Sequence, residues 1–433
     1  MRRAATILLL VVALPAPSLA AAAGPAAPSA EEASRRSQAE WLEDVAYFAR
    51  ELPRRHKNLY HTMPREQFEA SVRELEAAVA SLADHEIVVR LSQIAAKVGD
   101  GHTRVHIPAS FGRYPLGLYW FGSDLRVIAA TPEHEAALGS RVVGIGGKSL
   151  DEVQARAGTC FPSAENENPW YVLSTSPAYI LRPEVLHALG IVADVQRAPF
   201  TLEDDQGRRS ILEVPRVEQD GTLTGRFRWS AAAEPLSRQR RGERFWFTRL
   251  PGSKTVYVSW RGYESLGGHA RELFKSLDES PPDRLVIDLR QNGGGDFLEG
   301  RKRILDPIRK RPALNRKGAL YVLVGRQTFS AAMVNAIDFR KQTHAILVGE
   351  PIGERPNSYS ENDEMTLPNS RIVVSYSTRY YQFLDQDAPA VMPDQRIDPS
   401  WDDYKAGRDP VMDWVLAAPA PLAAPTAPAG PGD

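Results

Sequence analysis

The chain has 433 residues, 25% of them charged, with a formal net charge of −1 and a single cysteine, Cys160. A chain of this length usually holds about two or three domains with a large hydrophobic core. The balanced charge, without a basic block, excludes nucleic acid as an implied partner. The single cysteine excludes an internal disulfide, so the core alone must stabilise the fold.

The N-terminus has the pattern of an export signal. Two arginines precede an apolar run over 7–14, and small residues follow at 18–20. This order predicts a secretory signal peptide over 1–20. A membrane anchor is the alternative, but two prolines interrupt a run that is short for a bilayer. We therefore expect a periplasmic or secreted protein with no stable membrane insertion.

Three stretches with apolar residues at helical spacing follow an Ala/Pro-rich leader over 21–30, which we expect to be disordered. They cover 41–52, 68–82 and 87–98. Three such helices make a small bundle with one apolar face left to pack on another element. We assign 31–107 to an N-terminal helical domain.

A glycine turn ends the third helix, and alternating residues over 103–107 then predict a strand. His102 follows the turn directly and is the best candidate among nine histidines for a functional imidazole. An ordinary strand histidine is the alternative. A metal site made by His102 and His106 is less favoured, because the pair lacks the His-Glu-x-x-His pattern and would lie on a strand.

Short β elements follow, with a hairpin turn at 122–124, and predict a β module over 108–160. We interpret 161–243 as a connecting region without identifiable chemistry. From residue 244 a hairpin precedes apolar runs that alternate with helical patterns, which is typical of βαβαβ units in a parallel sheet. Predicted strands cover 285–289, 320–324 and 345–348, and predicted helices cover about 264–278, 296–310 and 330–340. This α/β catalytic domain spans 244–416, and an Ala/Pro-rich tail over 417–433 is expected to be disordered.

Two predicted strand ends carry residues that suit acyl transfer. One ends at Gly293–Gly295 and the other precedes Ser330 at a helix N-terminus. Ser330 is either a simple helix cap or a nucleophile whose oxyanion is bound by nearby amides, including that of Ala331. The glycines are either a tight turn, a phosphate cradle or an oxyanion hole, and the spacing of nucleotide-binding motifs is lacking. The flanks of Ser330 do not read Gly-x-Ser-x-Gly.

Three motifs in this order resemble the tail-specific, or C-terminal-processing, serine proteases. They are Asp-Leu-Arg-Gln-Asn-Gly-Gly-Gly at 288–295, Thr-Phe-Ser-Ala-Ala at 328–332 and Val-Gly-Glu-Pro at 348–351, and the segment 392–412 is similar to the end of that family. The turn at 99–103 resembles the branch that includes the tricorn core protease and interphotoreceptor retinoid-binding protein. The resemblance implies a crotonase/ClpP-like βα spiral as the catalytic core, with an N-terminal helical bundle and, in the β module, a reduced PDZ-like domain.

One departure from the family bears on mechanism. Ser/Lys members have a lysine base after the Gly-Glu-Pro motif, and that position is Arg355 here. Arginine stays protonated and cannot act as a general base. The tricorn branch implies a histidine base instead, which falls on His102, and an orienting acid, which falls on Asp387 with Asp385 as a near neighbour. In tricorn a serine precedes the histidine, whereas Gly101 does so here.

The sequence therefore predicts an exported serine endopeptidase that hydrolyses extended or unfolded polypeptides. The predicted catalytic residues are Ser330, His102 and Asp387, and the predicted oxyanion donors lie at Gly293, Gly294 and Ala331. Neither a metal nor an organic cofactor is required. A binding protein without turnover on the same fold and an esterase with the same acyl chemistry are the two alternatives.

Overall fold

A computed structural model describes residues 36–219 and 223–419. The predicted signal peptide and leader lie outside these residues, as does the tail from 420 onwards. The helices are α1 Gln38–Arg55, α2 Arg65–Ala78, α3 Asp84–Ala96, α4 Leu150–Ala157, α5 Pro169–Ile180, α6 Pro183–Ala188, α7 Leu266–Glu279, α8 Phe297–Gly300, α9 Asp306–Arg309, α10 Ala331–Gln342, α11 Trp401–Lys405 and α12 Pro410–Ala417.

The strands are β1 Arg104–Val105, β2 Leu116–Phe121, β3 Asp124–Ala130, β4 Arg141–Ile145, β5 Lys148–Ser149, β6 Arg197–Glu203, β7 Arg209–Pro215, β8 Arg228–Trp229, β9 Phe245–Arg249, β10 Thr255–Trp260, β11 Arg284–Asp288, β12 Leu320–Val324, β13 Ile346–Gly349, β14 Asn357–Thr366, β15 Val373–Gln382 and β16 Gln395–Arg396. Among the described residues, no helix is long and apolar enough to cross a membrane.

A six-stranded sheet in the order β16-β13-β12-β11-β10-β9 forms the centre of the catalytic domain. Only the edge strand β9 is antiparallel to its neighbour. Strands β11 and β12 are buried along their whole length because helices cover both faces, as in parallel sheets generally. The predicted βαβαβ order is present, with α7, then the α8–α9 segment, then α10 between successive strands.

The parallel arrangement brings the two motif-bearing turns together. The Leu289 amide donates to the Leu323 carbonyl at 2.8 Å, and the Phe329 amide donates to the Asn292 carbonyl at 3.0 Å. Carboxyl ends of parallel strands meet at one edge of a sheet, which is where such folds bind ligands. The glycine turn after β11 and the residue before α10 are therefore neighbours.

The helices α1–α3 pack on a three-stranded sheet of order β1-β15-β14, and the two share one hydrophobic core. Asp44 of α1 accepts the amides of Asn369 and Ser370 at 2.8 Å each, which ties the β14–β15 turn to the bundle. The predicted free face of the bundle thus packs on strands of the catalytic domain. The strand after the glycine turn is shorter than predicted, since β1 holds only two residues.

A second sheet, of order β2-β3-β4-β6-β7, builds the β module, and the predicted hairpin is β2–β3. β6 pairs with β4 through Val142 and Leu202, so the predicted boundary at residue 160 divides one sheet. Residues 197–215 belong to the module and not to a connection. β6 buries Ala198, Phe200 and Leu202 on one face, and the residues between them are more exposed. This alternation is that of a strand covering the core of the module. At the other end, Ala417 still belongs to α12 and not to a disordered tail.

Candidate active site

Ser330 immediately precedes α10 in a backbone conformation that only glycine adopts readily, with φ 53° and ψ −125°. Such strain persists only where the surroundings enforce it, and it is frequent at active sites. The turn before it is held by Thr328, whose hydroxyl donates to the Leu289 carbonyl at 2.8 Å and accepts the Gly325 amide at 3.0 Å. α10 is itself buried through Phe339. The nucleophile candidate is therefore fixed by rigid elements on both sides.

The glycine turn lies directly against this serine. Gly294 has φ +109°, and a Cβ there would lie 2.7 Å from the Ser330 Cβ and 3.1 Å from the Phe329 carbonyl oxygen. Its amide donates to the Asn292 side-chain oxygen at 3.0 Å. The predicted oxyanion role of this amide is therefore corrected, because Gly294 supplies space and its donor is already used. Within the described chain the amides of Gly293 and Ala331 donate to no protein acceptor, so both stay available.

This contact gives a prediction with an internal control. Gly294→Ala should lower kcat by about 10²-fold, because the added methyl must displace the nucleophile, and misplacement by about 1 Å costs roughly that much. Gly293→Ala should keep its kcat within about threefold, because no atom lies within 4 Å of a Cβ there. Steady-state kinetics of both variants on one peptide test this. Equal losses would show that the turn, and not the contact with Ser330, sets the rate.

The His102 imidazole is buried and stacks on Phe329, with ring centroids 4.8 Å apart. Its Nε2 lies 3.3 Å from the Ser360 hydroxyl, and its Nδ1 lies 3.7 Å from Glu354 Oε1. Burial lowers the pKa of His102 to about 4, although Asp100 opposes the shift. The imidazole is therefore neutral at physiological pH and able to accept a proton. No hydrogen bond joins it to the Ser330 hydroxyl in the described structure.

Glu354 is the carboxyl group that lies between the two candidates. Its Oε2 accepts the Ser330 amide, and its Oε1 faces His102 Nδ1. Both Oε1 and Nδ1 are buried without another hydrogen-bond partner. Burial raises the pKa of Glu354 well above the ordinary range, and the nearby carboxyl groups of Glu167 and Asp100 add to the shift. Sequence reasoning missed this residue, although it directly precedes the position of the family's lysine.

Asp387 lies elsewhere. Its side chain is 72% exposed, and its carboxylate is 3.5 Å from the Arg355 guanidinium. Asp385 is exposed in the same loop. Within the described residues neither aspartate pairs with His102, which corrects the predicted orienting acid. The physical reason is that the loop of Asp387 lies at the surface, where its carboxylate faces solvent and the Arg355 guanidinium. By its position, Glu354 is the carboxyl group that faces the imidazole.

The turn before His102 rests on a buried histidine–aspartate pair. His56 donates from Nε2 to Asp100 at 3.0 Å, and its Nδ1 accepts the Asn58 amide, which determines the tautomer. The other carboxylate oxygen of Asp100 accepts the Thr103 amide at 2.8 Å and the Ser377 hydroxyl at 2.7 Å. His56 thereby helps to fix the backbone that carries His102.

His106, the other member of the alternative metal pair, lies 3.8 Å from Glu364 on β14. Among residues 36–219 and 223–419, no group of three or more side chains has the arrangement of a metal site.

A cleft of about 560 Å³ opens over these residues. It is lined by Gly101, His102, Arg104, Tyr171, Ser174, Thr175, Gln291, Gly293, Gly295, Arg326, Gln327, Phe329, Ser330, Gly353, Asn362 and Ser375. Arg326 and Gln327 also line two neighbouring cavities of about 370 Å³ and 670 Å³ that reach the β module. Arg326 pairs with Glu350 and donates to the Trp120 carbonyl at 3.1 Å, which joins the module to the catalytic sheet. The space suits an extended chain.

Residues 254–397, which include the glycine turn, Ser330 and Glu354, match the family described as peptidase family S41. These residues form a peptidase S41 domain. The enzyme class that the motifs indicated, a serine peptidase, is thereby confirmed. His102 lies outside the matched stretch, so its place in the S41 site rests on the geometry above.

The chain has an S41 peptidase fold of mixed α/β content, and several solved structures are similar to it. Mature CPAF complexed with lactacystin is 12% identical, with a TM-score of 0.57 over 88% of this chain and 97% of its own. The tricorn protease is 14% identical, with a TM-score of 0.41 over 88% of this chain and 36% of its own. The photosystem II D1 C-terminal processing protease is 17% identical, with a TM-score of 0.39 over 86% and 94% of the two chains. No curated protein matches the chain.

Proposed function

We propose that the protein is a serine endopeptidase in which Ser330 is the nucleophile, His102 the general base and Glu354 the acid that orients the base. One observation carries this proposal: a single carboxyl group, that of Glu354, contacts both the Ser330 amide and the His102 imidazole. Nucleophile, base and orienting acid are the three parts that activate a serine hydroxyl. Only His102 among the three lies outside the S41 stretch.

In the proposed reaction, Ser330 Oγ attacks the peptide carbonyl while His102 accepts its proton and then delivers it to the leaving amine. His102 Nε2 must exchange the Ser360 hydroxyl for that of Ser330, and catalytic hydrogen bonds commonly form only in the substrate complex. The free amides of Gly293 and Ala331 bind the oxyanion, assisted by the N-terminus of α10. The ionised carboxylate of Glu354 stabilises the imidazolium of His102. Activity should therefore rise with pH as the Glu354 carboxyl group loses its proton.

The substrate that we propose is an extended or unfolded polypeptide. The cleft shares Arg326 and Gln327 in its lining with two further cavities beside the β module, and this succession of spaces favours a chain over a small ester. We also propose that the six-stranded sheet with α7–α10 is the crotonase/ClpP-like spiral and that β2–β7 form a PDZ-like module. The signal-peptide pattern over 1–20 supports export to the periplasm or beyond.

The experiment that tests the function is covalent labelling of the purified mature protein with a fluorophosphonate, followed by mass-spectrometric mapping. We expect one adduct, on Ser330, together with cleavage of an unfolded protein substrate. A protein that takes no label and cleaves no peptide would contradict the proposal and favour a binding protein. Labelling with turnover of small esters alone would favour an esterase.

The choice of orienting acid is tested by a matched pair of variants. Glu354→Gln should lower kcat by about 10²-fold or more with KM little changed, because a neutral amide cannot stabilise the imidazolium. Asp387→Asn should stay within about threefold of the unmodified enzyme, because that side chain is solvated and its ion pair with Arg355 is exposed. Kinetics on one peptide decide the matter. A larger loss in Asp387→Asn would restore the assignment made from sequence.

A further inference from the structure

Glu167 is a buried carboxyl group that the proposed reaction does not use. It is 1% exposed and lies in the segment that leads into α5. Its Oε1 accepts the Gly101 amide at 2.5 Å, and its Oε2 accepts the Arg355 amide at 3.2 Å. One amide belongs to the residue before His102 and the other to the residue after Glu354. A single carboxylate therefore connects the two backbones that carry base and acid.

The segment that holds Glu167 is itself anchored to the Glu354 segment. The Arg355 guanidinium donates to the Glu167 carbonyl at 2.8 Å and to the Glu165 carbonyl at 2.7 Å. Asn168 donates to the Ile352 carbonyl at 3.1 Å. Arg355 thus occupies the lysine position of Ser/Lys relatives but has a different role, because its guanidinium holds a loop and does not contact Ser330.

We propose that Glu167 is a positioning residue that sets the spacing between His102 and Glu354 by accepting the amides of Gly101 and Arg355. This inference rests on the proposed function. His102 Nδ1 and Glu354 Oε1 are 3.7 Å apart, which is about 0.5 Å beyond a good hydrogen bond. Small changes at the Gly101 and Arg355 backbones therefore decide whether the base and its acid engage.

The electrostatics give this role a signature in pH. Burial raises the pKa of Glu167 to about 7, although the Arg355 and Gly101 amides oppose the shift. The charged or titratable groups around it are Asp100 on the glycine turn, Glu354 and Arg355 before β14, and Tyr171 on α5. An ionised carboxylate accepts both amides in charge-assisted bonds, and protonation weakens them. The raised pKa means that the ionised form is lost as pH falls through about 7, and activity should fall with it.

Glu167→Gln tests the inference, with Glu165→Gln as the matched control. Glutamine offers one amide a carbonyl oxygen but presents its own N–H₂ to the other, so one connection is lost. We expect a kcat about tenfold lower at pH 8, KM within about twofold, and a pH profile that has lost the contribution of Glu167 near 7 while the contribution of Glu354 remains. Glu165 is exposed and contacts Arg355 only through its backbone carbonyl, so its variant should match the unmodified enzyme.

The outcomes separate this inference from the function itself. An unmodified enzyme that takes no fluorophosphonate label would overturn the function. Normal labelling, with a Glu167→Gln profile equal to that of the unmodified enzyme, would overturn the positioning role alone. If Glu167→Gln does not fold by circular dichroism, Glu167→Asp decides. Aspartate keeps the charge but has a shorter side chain. A lower kcat, with the loss of activity near pH 7 retained, supports the positioning role, and an unchanged kcat refutes it.

Discussion

Ser330→Ala is expected to abolish both fluorophosphonate labelling and peptide cleavage, with kcat falling by about 10⁶-fold, the order lost when a serine peptidase loses its nucleophile. Among the described residues, no other hydroxyl occupies the same position against Gly294 and Glu354. The fold should survive, because Ser330 makes no side-chain capping bond to α10. Its backbone strain persists in the variant, so the change isolates the hydroxyl.

Ser265→Ala is the matched control for this variant. Ser265 also precedes a helix, α7, with a positive φ (56°) and without a side-chain cap bond, yet it is exposed and absent from the cleft lining. Both variants replace a serine by alanine at a positive φ before a helix. Ser265→Ala should therefore retain full activity, and residual labelling of Ser330→Ala would identify another nucleophile.

His102→Ala is expected to lower kcat by about 10⁴-fold, near the upper range for loss of a general base. Labelling of Ser330 should become correspondingly slow, because the fluorophosphonate also requires an activated hydroxyl. Burial holds the pKa of His102 near 4, so the imidazole is already neutral above that pH. In the pH profile of the unmodified enzyme, the loss of activity on the acid side should therefore occur well above pH 4. It should reflect protonation of the Glu354 and Glu167 carboxyl groups.

His106→Ala controls for the loss of an imidazole from the same segment. His106 Nε2 lies 3.8 Å from Glu364 Oε1, and His106 does not line the cleft. It should leave labelling and kcat nearly unchanged. Rapid labelling of Ser330 in His102→Ala would show that another group, with Glu354 the first to examine, removes the proton.

Much of the catalytic domain was predictable because its signals are local. Strands β11 and β12 are apolar runs bounded by turn residues, and α10 follows a serine, so periodicity alone located them within about two residues. The module was divided wrongly because β6 and β4 are separated by α4–α6, and pairing between distant strands leaves no periodic trace. The strand predicted over 103–107 is shorter in the structure for a similar reason, because the length of β1 depends on its pairing with β15.

The two acids show the same limit at the site. Asp387 was inferred from motif order, and chain position alone does not say whether a loop faces the cleft or the solvent. Glu354 and Glu167 carried no pattern, because their importance comes from burial among groups that are distant in sequence. Glu167 meets Gly101 across 66 residues and Arg355 across 188.

By itself the sequence determined the order of βα units, the serine at a helix N-terminus beside a glycine turn, and the serine peptidase class. Local hydrophobic spacing and turn chemistry suffice for the first two, and the resemblance of the three motifs to a protease family indicated the class. Only the tertiary structure decided which carboxyl group faces His102, that the Gly294 amide is already used, and that Arg355 holds a loop. The reason is that hydrogen-bond partners and desolvation depend on how the bundle, the module and the catalytic sheet pack together.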